Sequence, residues 1–352
     1  MSWLDDEPVR GGYPSAEFLA LSGVERMRAA AKGFMPRPPI HHLFGLTPVS
    51  SSVASSVFTM PASPWLQSAA GVFFAGTAAL VADAPLGSAI LGPLGPGQIV
   101  VTSDLTLNFL RATSPRSRQL TARARPIEVG RRLGLAEAVI EDGTGDVVAH
   151  ATTRCFIREL HYPDSKELPP ITEPSYDTPD PHARPLTTTT LDPDVWTSQT
   201  FLEICAAMNR GDLPPAPFAL LFGYGRVEVT EGHFETTVPS SPWFTSPGGT
   251  IYGGVLAFLA DTSLTGACTS VLAPNFTCAP LDLKVNFLRP VMPDGRPLTA
   301  RATVVHRGRT LMVAESEIVN ADGKLVAKAT SSATVIEGTS WLRAVIDDAP
   351  IT

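Results

Sequence analysis

Cysteine is scarce in this chain, and charge of either sign is modest. The four cysteines, Cys155, Cys205, Cys268 and Cys278, lie far apart and form no CxxC pair, which argues against zinc-ribbon and thioredoxin-type motifs. Seven histidines show no metal-ligand spacing, so no metal is expected. Lys and Arg number 27 against 34 Asp and Glu, with no basic stripe, so nucleic acid is not an expected partner. There is neither a GxSxG elbow nor a GxxxxGK phosphate loop. Met1 to Glu7 is acidic where a secretory leader is basic and then apolar, so a cytoplasmic location with reduced thiols is expected. The apolar run from Gly71 to Leu94 carries Asp83 and Pro85 near its middle. A membrane span needs about 20 uninterrupted apolar residues, so none is expected here.

What the chain does have is length, apolar content and a repeat. Its 352 residues are 44% apolar, enough for about two buried cores. Sliding the sequence by 178 positions lays Ser63-Pro64-Trp65 on Ser241-Pro242-Trp243 and Asp83 on Asp261. The same shift lays Asn108-Phe109-Leu110-Arg111 on Asn286-Phe287-Leu288-Arg289, and Thr121-Ala122-Arg123-Ala124 on Thr299-Ala300-Arg301-Ala302. Between Pro61 and Thr152, 38 of 92 positions match without a gap. Chance does not produce that, so the chain is an internal duplication. Between the copies runs a stretch rich in Pro, Asp, Glu and Thr with no apolar period, which reads as an extended connector. The division that follows is an N-terminal segment with a short helix (1–35), a first domain (36–160), a linker (161–195), a second domain (196–340) and a tail (341–352).

Within each copy, one run is apolar on nearly every face. In copy two it is Tyr252 to Cys268, too long for a buried strand and patterned as a helix enclosed on all sides. Segments of near period-two patterning follow it, over 281–288, 297–306, 311–320 and 325–335, separated by turn signals such as Pro293-Asp294-Gly295. A hairpin-like pair, 226–230 and 233–238, precedes the helix. The expected class is α+β, with an antiparallel sheet wrapped round a long central helix in each copy.

These residues resemble a known family. Tyr252-Gly253-Gly254 followed by Leu259-Ala260-Asp261 is similar to the His-Gly-Gly and Leu-Ala-Asp signature of hotdog-fold acyl-CoA thioesterases, in the branch related to phenylacetyl-CoA thioesterase. The strand Asp282 to Pro290 resembles the family's second motif. The resemblance implies a tandem double hotdog standing in for a homodimer, an acyl-CoA substrate, and no cofactor beyond the CoA of that substrate. It also implies pairing of the double unit into a dimer or higher oligomer. The family's histidine corresponds here to Tyr252 and Phe74 and its upstream Asn or Gln to Ser246 and Ser68, which makes these four candidates for substrate contact; copy one reduces the glycine pair to Ala75-Gly76.

Hydrolysis of a thioester needs donors for a developing oxyanion and a base or nucleophile at the carbonyl carbon. A helix N-terminus supplies free amides, and glycine lets a carbonyl approach them. Gly253 and Gly254, with Ala75 and Gly76 in copy one, are therefore the donor candidates; tight packing is the other explanation for the glycines. Asp83 and Asp261 are carboxylates in apolar helices, costly to bury unless used or bonded to a hydroxyl such as that of Thr262 or Ser263. Eight residues of helix separate Gly253 from Asp261, about 12 Å, so one carbonyl cannot sit near both. Two antiparallel helices would bring Asp83 to Gly253 and Gly254, and Asp261 to Ala75 and Gly76. Arg111 and Arg289 are candidates for a CoA phosphate or for surface ion pairs. Trp65 and Trp243 are candidates for an acyl-pocket wall or for loop anchors. Two other functions stand beside hydrolysis. One is non-catalytic binding of acyl-CoA or lipid; the other is hydration or dehydration of a thioester, whose motif histidine is replaced here by Ser88 and Gly266.

Overall fold

The computed structural model describes residue 4 and residues 7–160, 168, 171 and 174–338. Eight helices occur among them: α1 (Ala16–Ala20), α2 (Gly23–Ala31), α3 (Pro39–Phe44), α4 (Thr77–Leu91), α5 (Pro193–Ser198), α6 (Phe201–Arg210), α7 (Pro217–Phe222) and α8 (Gly253–Ser270). Copy one contributes strands β1 (Thr47–Ser51), β2 (Ser56–Pro61), β3 (Gln98–Phe109), β4 (Gln119–Val129), β5 (Leu133–Asp142) and β6 (Val147–Glu159). Copy two contributes β7 (Glu228–Thr230), β8 (His233–Pro239), β9 (Phe276–Pro280), β10 (Asp282–Phe287), β11 (Pro297–Arg307), β12 (Leu311–Val319) and β13 (Leu325–Glu337).

All thirteen strands form one antiparallel sheet, in the order β1-β2-β4-β5-β6-β3-β10-β13-β12-β11-β8-β7, with β9 also on β13. The burial patterns of β2, β5 and β12 alternate residue by residue, as a sheet with one face on a core requires. The apolar face curves round α4 and α8, which are buried along almost their whole length. That explains why both helices are apolar all round: sheet covers one side and the other helix covers the opposite side.

The copies join where β3 meets β10. Thr106 lies opposite Lys284, with Leu105 opposite Val285 and Leu107 opposite Leu283. Thr106 and Lys284 are equivalent under the 178-residue shift, so a local twofold axis passes between them. It also passes between Phe44 and Phe222, whose ring centroids are 5.2 Å apart. About this axis each short helix reaches into the other copy: the Ile40 amide donates to the Thr245 carbonyl and the Phe218 amide to the Gln67 carbonyl.

The structure departs from expectation in two places. Between residues 7 and 35 the N-terminal segment carries α1 and α2 rather than one short helix, because Ser15 caps α1 and a Ser22–Glu25 capping box starts α2. The strand expected over 281–288 is shorter, and β9 precedes it; the alternation there is too weak to read from sequence. The connector's described part is pinned to the surface. Asp180 bonds Arg10 and His42, both at 3.0 Å, and the Trp65 indole donates to the Arg184 carbonyl. The tail expected over 341–352 lies outside the described residues. Among the described residues, no helix is long and apolar enough to cross a membrane.

The seam is the most sensitive part of this architecture. Leu107→Ala, at a fully buried seam position, should lose about 2–5 kcal/mol in urea unfolding. Leu110→Ala, 60% exposed, should stay within about 0.5 kcal/mol. Equal losses would contradict a core continuous across β3 and β10.

Candidate active site

Neither central helix has a side-chain N-cap of its own. Free amides at a buried helix end need a partner, and each helix receives one from the middle of the other. The Gly254 amide donates to Asp83 Oδ2 at 3.0 Å, and the Gly76 amide donates to Asp261 Oδ2 at 2.7 Å. The two cross-pairs expected from helix spacing are thus brought together. The local hydroxyls proposed as alternative partners are not: Thr262 bonds Leu259 and Tyr224, and Ser263 bonds Ala260 and Ser316.

Burial outweighs these bonds in setting the protonation of both carboxyls. Desolvation pushes Asp83 up to about 6, against the lowering effect of the Gly254 amide, the Thr102 hydroxyl and the Gly253 amide. Asp261, with only the Gly76 bond to oppose burial, rises to about 7. The Thr102 and Gly253 contacts of Asp83 have no counterpart at Asp261. Thr102 Oγ1 lies 3.4 Å from Asp83 Oδ1, whereas its equivalent in copy two is Pro280, and Asp261 Oδ1 is buried without a partner.

The two sites differ in access as well. Asp83 is 6% exposed and Asp261 is fully buried. Around Asp261 lie Phe74, Phe218, Phe258 and Tyr224, with ring centroids 4.9 to 6.1 Å apart. The equivalents at the Asp83 site are Tyr252, Ile40, Leu80 and Leu46. Gly253 is half-buried at the end of α8. A Cβ there would lie 2.8 Å from Asp83 Oδ2, while one on Gly254 would lie 2.7 Å from the Ala79 carbonyl oxygen. Gly254 and Gly76 therefore serve close helix packing, and Gly253 keeps the space over Asp83 clear. Ala75 fills the position equivalent to Gly253, and the first turn of α4 is tightened into i to i+3 bonds.

The other sequence candidates are spread more widely. Ser246 bonds within its own turn, to the Thr250 carbonyl and the Gly248 amide. The Ser68 hydroxyl is buried without a partner. Trp65 and Trp243 are buried in the loops before α4 and α8. Arg111 and Arg289 are committed to the Val147 and Leu325 carbonyls, away from either carboxyl. Thr102 was missed by sequence reasoning, although its mismatch with Pro280 under the 178-residue shift was visible. Two open depressions, of about 570 and 490 Å³, are lined by residues such as Arg10 and Tyr176, and Leu186 and Leu220; neither includes Asp83 or Asp261. Among the described residues, no group of three or more His, Cys, Asp or Glu is placed to hold a metal.

Two stretches, residues 70–149 and 248–327, match the thioesterase superfamily, one in each copy and each containing its Asp and glycine motif. A candidate esterase of Saccharolobus solfataricus is 32% identical over 107 residues, 30% of this chain and 74% of that protein. The chain belongs to the thioesterase superfamily. Membership in this family of thioester hydrolases agrees with two buried carboxyls at helix ends and with the absence of a serine elbow. A hot dog fold protein from Alicyclobacillus acidocaldarius superposes with a TM-score of 0.51 at 18% identity, over 85% of this chain and 98% of its own. A candidate thioesterase from Novosphingobium aromaticivorans gives 0.50 at 17% identity, over 82% and 98%. These likenesses show the fold, a double hotdog.

Two measurements check the geometry. Gly254→Ala should cost about 1–3 kcal/mol by overpacking. Gly253→Ala meets side chains alone, the Asp83 carboxylate and the edge of the Phe287 ring, so it should leave stability within about 1 kcal/mol yet lower turnover more than about tenfold. Reversed ranks would contradict these assignments. Each raised carboxyl also binds its proton more tightly in the folded chain than in the unfolded one, so its contribution to stability declines as pH rises through its folded value. From about pH 5 to 8, wild type should lose about 2 kcal/mol relative to Asp261→Asn in urea unfolding. Parallel stability curves would contradict a raised Asp261.

Proposed function

We propose that this protein hydrolyses an acyl-CoA thioester to the free acid and CoA, and that Asp83 carries the reaction. The observation that supports this most is the convergence at one helix end of a half-buried glycine amide, a carboxylate with a raised pKa and a hydroxyl. The Gly253 amide, which also faces the Asp83 carboxylate, is the donor at the half-buried edge of α8 that would turn to the carbonyl oxygen as it gains charge. Asp83 takes a proton from water as that water attacks the carbonyl carbon. The tetrahedral intermediate collapses, the carbon–sulfur bond breaks, and the thiolate leaves and takes the proton held by Asp83 to become free CoA, which restores the carboxylate.

Asp83 suits a base better than Asp261. With a pKa of about 6 it is mostly ionised at neutral pH, whereas Asp261, at about 7, is about half protonated. A base keeps its hydrogen bonds during proton transfer. A nucleophilic Asp83 would have to leave Gly254 and Thr102 to reach carbon. At the other end, Ala75, Pro280 and the aromatic cluster leave Asp261 with a role in capping α4.

Thiol release from short, long and aromatic acyl-CoAs tests the reading. Asp83→Asn should lower kcat by about 10²–10⁴, the range for a lost general base, and Asp261→Asn by less than about tenfold. Loss confined to Asp261→Asn would overturn the choice of site. No turnover by a folded wild type that still binds CoA esters would replace hydrolysis with non-catalytic binding.

A further inference from the structure

Tyr252 stands where the family's histidine was expected, and its hydroxyl is not directed at a substrate. It accepts from the Ala84 amide at 2.6 Å and donates to the Leu80 carbonyl at 3.1 Å. Those two groups are the i+4 and i partners that a regular helix joins directly. The next residue in α4 is Pro85, which has no amide and crowds the carbonyl four residues back, so the helix there is open to an inserted polar group. Copy two has neither half of this arrangement. Phe74 has no hydroxyl to give, and Ser263 stands in place of Pro85 with its hydroxyl bonded to Ala260 and Ser316.

We propose that Tyr252 is a positioning residue for Asp83, matched to Pro85, and that the pair sets where the working carboxylate lies against the end of α8. The proposal rests on Asp83 being the working carboxylate. Tyr252 is the N-cap residue of α8 and directly precedes Gly253. Its bridge lands on Ala84, directly after Asp83, and on Leu80, against which Gly254 also packs. One side chain therefore ties the oxyanion end of one helix to the turn of the other that presents the carboxylate. The neighbouring titratable groups leave Asp83 to respond alone. Tyr252 from α8 and Cys155 from β6 are both pushed far up by burial and stay neutral, and Asp104 on β3 is paired with Arg154.

The test compares wild type, Tyr252→Phe, and Tyr252→Phe with Pro85→Ser, which copies the arrangement of copy two. The Asp83 carboxyl is titrated by ¹³C NMR in the full chain, assigned with Asp83→Asn, and kcat and KM are measured on an acyl-CoA. In Tyr252→Phe the carboxyl should lose part of its Gly254 bond and titrate at least about half a unit higher. Its kcat should fall about tenfold or more, with KM within about threefold. Adding Pro85→Ser should restore both. An Asp83 titration unmoved by Tyr252→Phe, or a double variant no better than the single, would overturn the pairing. If Tyr252→Phe does not fold, the double variant decides: a folded protein with a wild-type Asp83 titration supports the pair, and an unfolded one refutes it. If wild type hydrolyses no acyl-CoA, the hydrolase reading fails, while the titration still decides the positioning role.

Discussion

The structure depends on a reciprocal contact: the N-terminal amides of each central helix are capped by a carboxyl from the middle of the other. A helix end buried inside a sheet has no water to satisfy it, and neither α4 nor α8 carries a capping side chain. The carboxyls have no solvent either, and desolvation raises both despite the amide bonds. Each group makes burial of the other tolerable. The pairing holds the helices in close contact at Gly76 and Gly254, and it sets a buried carboxyl against the first amides of each helix. Folding and chemistry thus draw on the same contact.

Duplication within one chain lets the two contacts diverge. In a homodimer both sites carry the same residues, but here a substitution can alter one and spare the other. The differences cluster: Thr102 against Pro280, Gly253 against Ala75, Tyr252 against Phe74, and Pro85 against Ser263. Copy one supplies the held carboxylate and copy two the open glycine end, while the opposite pair is enclosed by aromatic rings. Both contacts still cap a helix, which accounts for the retention of Asp261 where its second oxygen has no partner.

Much of this was legible in the residues. All-round apolarity marked Tyr252 to Cys268 as an enclosed helix, and seven or eight residues of helical rise separated each helix start from the Asp of its own helix. With a repeat in hand, the cross-pairing followed from symmetry. What remained hidden depends on contacts between elements. The reach of Thr102 from β3 to Asp83 needs the packing of sheet on helix. The use of the Tyr252 hydroxyl needs its distance to the backbone of α4, so the position looked like a substrate contact. The strand β9 was missed because only Cys278 among its five residues is buried, too little alternation to detect. The commitment of Arg111 and Arg289 to neighbouring carbonyls likewise depends on the returning strands.

The central claim, that one chain holds one working composite site at the end of α8, is tested most directly by a crystal structure with a non-hydrolysable acyl-CoA thioether. One analogue per chain is expected, with the carbon next to sulfur seated over Gly253 and Asp83 with room for one water between it and the carboxyl, and with nothing bound at Asp261. An analogue seated at Gly76 and Asp261, or bound away from both helix ends, would contradict it.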